Sequence, residues 1–180
     1  QNYRLGVHIA DVSRYVPFGT SIDLDARRRA TSVYLVDRVI PMLPEHLSNN
    51  LCSLVPAQKR ATISVEALVS PTGKVLSYDV FPSVIRSSAR LSYDQAQAVL
   101  DASRSGKTVE QMQKAVNACE VPHDSIPLSR ATLEKLQYRI VGFDSLAKAL
   151  FQRRKKDGCM DFDRVEAKVR LDKNLSLIHI

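Results

Sequence analysis

Cysteine pairs, long apolar runs and targeting signals are all missing from this chain. Its three cysteines, Cys52, Cys119 and Cys159, are an odd and widely spaced set with no CxxC pair. That excludes a disulfide framework and a zinc site of paired cysteines, and it makes a reducing cytosol the expected compartment. No apolar run approaches the roughly 20 residues needed to cross a bilayer, and no signal-peptide pattern is present. The expectation is a soluble, cytoplasmic protein with no membrane role and no obligate protein partner evident. No internal repeat, low-complexity tract or composition shift marks a domain boundary.

With 180 residues, 44% of them hydrophobic, the chain could fill one domain or be a slice of a larger one. Its ends favour the slice. Position 1 is Gln, and a strand-like run begins at Tyr3. At the other end Leu175–Ile180 is apolar, follows no turn or cap, and breaks the charged pattern before it. Residues 1–174 therefore read as part of a domain and 175–180 as a non-native scar outside fold reasoning. The 26 basic against 19 acidic side chains give a net charge of +7 and a pI near 9.5, which puts polyanions first among candidate partners.

The pattern predicts an α+β region, sheet first, then helices, then sheet, with a mixed or antiparallel sheet and packed helices. Tyr3–Val12 reads as a strand with Leu5, Val7 and Ile9 on one face. Asp23–Ala30 suits a short helix, and Thr31–Ile40 is rich in β formers. Pro41 and Pro44 then enforce an extended connection, since each fixes φ and lacks an N–H. Ala61–Val69, the turn Ser70–Gly73 and Lys74–Ile85 predict a hairpin. Ser92 with Gln95 fits a capping box, and helices follow from there, over Thr108–Ala118, and over about Ser129–Asp157. In the last of these, Leu133, Leu136, Ile140, Phe143, Ala147 and Leu150 form an apolar stripe, and Arg153–Lys156 complements the helix dipole ahead of Gly158. Met160–Leu171 reads as a further strand.

Three segments carry a denser signal. Gly6–Val16 reads GVHIADVSRYV, Ile22–Leu35 reads IDLDARRRATSVYL, and Pro41–Pro56 reads PMLPEHLSNNLCSLVP. Together with Arg90–Tyr93 and the run Asp157–Glu166, these resemble the catalytic domain of the ribonuclease II/ribonuclease R family, the RNB nuclease domain. Within the motifs, Ile22 stands for a Leu and Asp25 for a Glu of the family pattern.

The resemblance implies a processive 3′→5′ exoribonuclease that uses Mg²⁺ to hydrolyse single-stranded RNA to nucleoside 5′-monophosphates. Its aspartate motif lies ahead of the GVHIADV strand, so the Mg²⁺ ligands are expected upstream of Gln1. No catalytic or metal residue is then expected within the chain, and the fragment itself is expected to be inactive. At the RNA 3′ end the resemblance assigns Tyr34 to base stacking, where strand statistics alone would give a packed tyrosine. Arg29 matches a family arginine whose fork suits a phosphate, or equally a carboxylate of Asp11, Asp23 or Asp25. Phe162 reads first as core packing and second as another stacking aromatic. Arg27 and Arg28 are expected to be solvated. His8 reads as a satisfied sheet histidine, Asp11 as an arginine partner and Cys52 as a structural thiol. The alternative function is a catalytically dead RNA-binding regulator on the same fold. A basic scaffold that touches no nucleic acid would require the motifs to match by accident.

Overall fold

The computed structural model describes residues 2–35 and 37–160, and the backbone of 170–171 and 177–178. In chain order its elements are β1 (Tyr3–Ala10), α1 (Ser21–Arg29), β2 (Val33–Tyr34), β3 (Val39–Ile40), β4 (Lys59–Val69), β5 (Val75–Arg86), α2 (Tyr93–Arg104), α3 (Val109–Asn117), α4 (Arg130–Lys156), β6 (Arg170–Leu171) and β7 (Leu177–Ile178). They fall into two compact units, one of Gln1–Ala10 with Leu54–Cys159, the other of Asp11–Ser53 with Met160–Ile180. The fold is α+β, and every ladder between these strands is antiparallel.

In the first unit β1, β4 and β5 form a sheet in the order β1-β4-β5. The predicted hairpin is present: Ser70 N–H bonds the Lys74 carbonyl at 2.8 Å, and Gly73 sits at φ +76°. A Cβ on Gly73 would lie 2.6 Å from the Ala149 carbonyl oxygen of α4, so the turn fits under the helix only as glycine. Register stacks Leu5, Val7 and Ile9 beside Ala67, Val65 and Ile63, and these beside Tyr78, Val80 and Pro82. That apolar face is largely open, with Val7, Ile9, Tyr78, Val80 and Val84 exposed. The opposite face carries the fully buried Thr62 and Ser64. Their hydroxyls bond each other and Ser83, and His8 Nδ1 lies 2.6 Å from Ser64 Oγ, so the buried polar atoms have partners. His8 is thus a satisfied sheet histidine.

The helices begin where their caps predict. Ser92 and Gln95 form a complete capping box, as do Thr108 and Gln111, and Ser129 caps α4. Val99, Ala102, Met112, Val116 and Leu133 make the core between α2, α3 and α4, with Ala98, Leu128 and Ile140 against it. The α4 stripe departs from expectation in its second half: Leu146 is buried, whereas Phe143 and Ala147 face solvent. A helix turns 3.6 residues at a time, so the face that starts at Leu133 drifts off any fixed three-and-four series over 27 residues.

Two other expectations are corrected. The β-rich run Thr31–Ile40 is a hairpin, with Val33 opposite Ile40 and Tyr34 opposite Val39. The segment after Pro44 is not extended: Glu45 already has helical angles, φ −56° and ψ −34°, and the chain winds into a wide helical turn at His46–Leu51. Of the run Met160–Leu171, only Met160 and Arg170–Leu171 lie within the described residues, and Arg170–Leu171 pairs with Leu177–Ile178. Among the described residues no helix is long and apolar enough to cross a membrane.

Candidate nucleic-acid interface

The second unit holds most of the motif-dense residues. Its first fixed point is the turn Pro17–Thr20, which feeds α1. Thr20 is the cap: its hydroxyl accepts from Asp23 N–H at 3.4 Å and donates to the Pro17 carbonyl at 2.8 Å. Gly19, at φ +79°, donates its N–H to Asp23 Oδ2 at 2.8 Å. That backbone hydrogen bond, followed by the Arg27 guanidinium, holds the Asp23 carboxyl below the usual carboxylate range. Three cations, Arg27, Arg28 and Arg29, occupy the last turn of α1, where the helix dipole favours them.

Helix α1 stops at Ala30, whose φ of 61° turns the chain toward the hairpin. The hairpin is closed by Leu35 N–H on the Arg38 carbonyl at 2.8 Å and is tied down at its root. Met42 N–H donates to Ser32 Oγ at 2.9 Å, and the Arg29 guanidinium donates to the Pro41 carbonyl at 3.3 Å. Arg29 also pairs with Asp25 through Nε at 2.9 Å. Tyr34 projects from this braced strand at 77% exposure, and its strand neighbours Val33, Leu35, Val39 and Ile40 are exposed as well.

The remaining candidates separate. Arg29 makes the carboxylate pairing that was one of its two expected roles. Arg27 is not merely solvated: it pairs with Asp23 at 3.0 Å and lies 4.3 Å over the Phe18 ring. Asp11 accepts from the Ser13 hydroxyl at 2.6 Å, and no arginine pairs with it among the described residues, contrary to expectation. A serine two residues on reaches the carboxylate within one turn, which a distant arginine does not. Burial, and then the charge of Asp11, pushes the Cys52 thiol up, so it stays a protonated, poorly nucleophilic group. Phe162 lies outside the described residues. Among the described residues no three His, Cys, Asp or Glu side chains gather as a metal site.

In the first unit, the basic end of α4 meets the β4–β5 turn around a cavity of about 280 Å³ lined by Pro71, Thr72, Ala149, Gln152, Arg153, Lys156 and Asp157. Arg153 there is 3.7 Å from Asp157, so the run acts within its own helix end as expected from the dipole.

Known proteins resemble this chain. A family model described as "RNB domain" matches residues 1–180. Ribonuclease R of Thermotoga maritima is 39% identical over 179 residues, which is 99% of this chain and 22% of that protein. DIS3-like exonuclease 2 of Xenopus tropicalis is 38% identical over 177 residues, 98% of this chain and 20% of that protein. Among solved structures, Mycoplasma genitalium RNase R in complex with double-stranded RNA superposes with a TM-score of 0.72 at 30% identity, covering 97% of this chain and 27% of that one. The chain thus spans about a fifth of the length of the curated relatives it matches.

Proposed function

Because the chain belongs to the RNB-domain family, we propose that it is part of a processive 3′→5′ exoribonuclease releasing nucleoside 5′-monophosphates in the cytosol. The observation that carries the reading is Tyr34, 77% exposed on a hairpin braced by Ser32 and Arg29. A ring offered to solvent on a stiff support suits stacking against RNA bases, since every base has a π-face and an exonuclease must tolerate any sequence. Single-stranded RNA, entering by its 3′ end, is the proposed substrate. Relatives bearing the name ribonuclease R, one of them solved with RNA, support that class of partner.

Arg29 serves this site from the root of the hairpin, where Asp25 and the Pro41 carbonyl already hold its guanidinium. Phe162 keeps its proposed place as a second aromatic. Mg²⁺ is the proposed cofactor of the parent protein. Its ligands are proposed to come from other residues of the parent. The 180 residues alone are then expected not to shorten RNA.

The test uses the full-length parent and a 3′-labelled single-stranded oligonucleotide. Tyr34→Ala should raise Kd by roughly 5- to 150-fold, the equivalent of about 1–3 kcal/mol of base stacking. Tyr34→Phe, which keeps the ring, should stay near wild type. Unchanged binding by Tyr34→Ala would sink the assignment. Tight RNA binding by a parent that never shortens RNA in Mg²⁺ would select the non-enzymatic regulator instead.

A further inference from the structure

The turn ahead of α1 exposes a second aromatic that none of the motif positions accounts for. Phe18, between Pro17 and Gly19, is 86% exposed, and the Arg27 guanidinium lies 4.3 Å from its ring centroid. One carboxylate organises both partners. Asp23 receives the Gly19 N–H at 2.8 Å and holds Arg27 through Nε at 3.3 Å and a terminal nitrogen at 3.0 Å. Thr20 closes the same turn by donating to the Pro17 carbonyl at 2.8 Å. Ring and cation are therefore set in register by three hydrogen bonds and an ion pair before any ligand arrives. With the guanidinium on one face and so little else around the residue, the other face of the ring is left to solvent.

We propose that Phe18 and Arg27 form a stacking platform for a nucleobase of single-stranded RNA, with the adjacent Arg28 facing the phosphate that follows. A base laid on the open face would complete an arginine–phenylalanine–base stack, in which dispersion and the cation–π contact act on one column. Charge favours a nucleic acid over an apolar protein segment. Three consecutive arginines end α1, and Arg28 forms no ion pair among the described residues. The proposal rests on the RNA reading above and adds a contact separate from Tyr34. It predicts no base preference, because the platform offers a ring face and no hydrogen-bonding edge.

The chain contains no tryptophan, so Phe18→Trp places a single indole at the platform without touching the core. An oligoadenylate of about ten nucleotides, titrated at low salt into this variant of the 180-residue chain, should quench the indole by about half. An abasic ribose-phosphate oligomer of equal length should not. Equal quenching by both, or none by either in a chain that circular dichroism shows to be folded, overturns the platform. A parallel measurement on the full-length parent covers failure of the chain to fold alone: Phe18→Ala should weaken oligoadenylate binding about fivefold or more, with Phe18→Tyr close to wild type. If Tyr34→Ala weakens binding and Phe18→Ala does not, the platform is wrong and the RNA reading stands. If neither weakens it, the RNA reading itself falls. If Phe18→Ala spares RNA and loosens a protein contact of the parent, the ring serves protein packing and the platform is overturned.

Discussion

The α2–α4 cluster and the segment that carries α1 and the β2–β3 hairpin spend their apolar residues in opposite ways. In the cluster, Val99, Ala102, Met112, Val116 and Leu133 are almost completely shielded, and two full capping boxes satisfy the helix starts. In the α1–hairpin segment, burial among the described residues is confined to Ala26 and Leu47, while Phe18, Val33, Tyr34 and Ile40 stand open. What fixes that segment is a set of hydrogen bonds to single atoms: Asp23 to Gly19, Ser32 to Met42, Arg29 to Pro41. The dense motif thus falls where burial is poor. Residues held by contact with many neighbours can be exchanged for others of similar volume. Residues that hold one atom by one bond cannot, and a readable motif is the consequence.

The contrast can be broken most directly at Leu133. Leu133→Ala should cost about 2–5 kcal/mol, the range for an aliphatic truncated inside a packed core. Val33→Ala in the hairpin should stay within about 0.5 kcal/mol. Urea denaturation of the two variants in one background measures both, and equal losses would dissolve the distinction between the regions. Gly73→Ala comes next. The new Cβ would meet the Ala149 carbonyl at 2.6 Å from a residue at φ +76°, so a loss of roughly 1–3 kcal/mol is expected. A neutral result would mean that α4 yields at Ala149 and that the β4–β5 turn does not depend on glycine. Ser92→Ala should cost about 1 kcal/mol by removing the acceptor for Gln95 N–H, and Ser92→Asp should restore most of it.

The helices were legible because their starts are written locally: a hydroxyl and a glutamine three residues apart specify each capping box without reference to the rest of the chain. The β4–β5 hairpin was legible for the same reason, through Pro71 and Gly73. The β2–β3 hairpin was not, because its reversal over Leu35–Arg38 contains neither glycine nor proline and its flanks are all β formers. The wide turn at His46–Leu51 was hidden by Pro44, read as a breaker although proline also suits the first turn of a helix. At the candidate site, Tyr34 was named from its motif, whereas the stack of Arg27 on Phe18 joins residues nine positions apart across a turn, where no periodicity points. The apolar side of the β1–β4–β5 sheet was readable from alternation, but alternation says only that a face is apolar. It does not say that the hydroxyl face would be the buried one.

The smallest expected effect lies at Asp23, and it separates local order from global stability. Its carboxyl is held below the ordinary value of 3.8 by the Gly19 N–H first and by Arg27 after it. A depressed folded-state value means that the ionised form is bound more tightly in the native turn than in the unfolded chain. The contribution is therefore present above the ordinary carboxylate pKa, and it is lost as pH falls through the lower, folded-state value. Acidification through that window should free the Gly19 amide and the Arg27 guanidinium together. The Gly19 amide resonance should shift along one titration curve with the Asp23 carboxyl, and Asp23→Asn should abolish the shift. The α2–α4 core should register none of this, because Asp23 is solvent-screened and none of the core side chains carries a charge. Amide exchange at Val99 and Leu133 should then track whole-chain acid denaturation and not the Asp23 titration. A Leu133 amide that opened in step with Gly19 would show the two regions folding as one cooperative unit, and the division between a packed cluster and a bond-held platform would have to be given up.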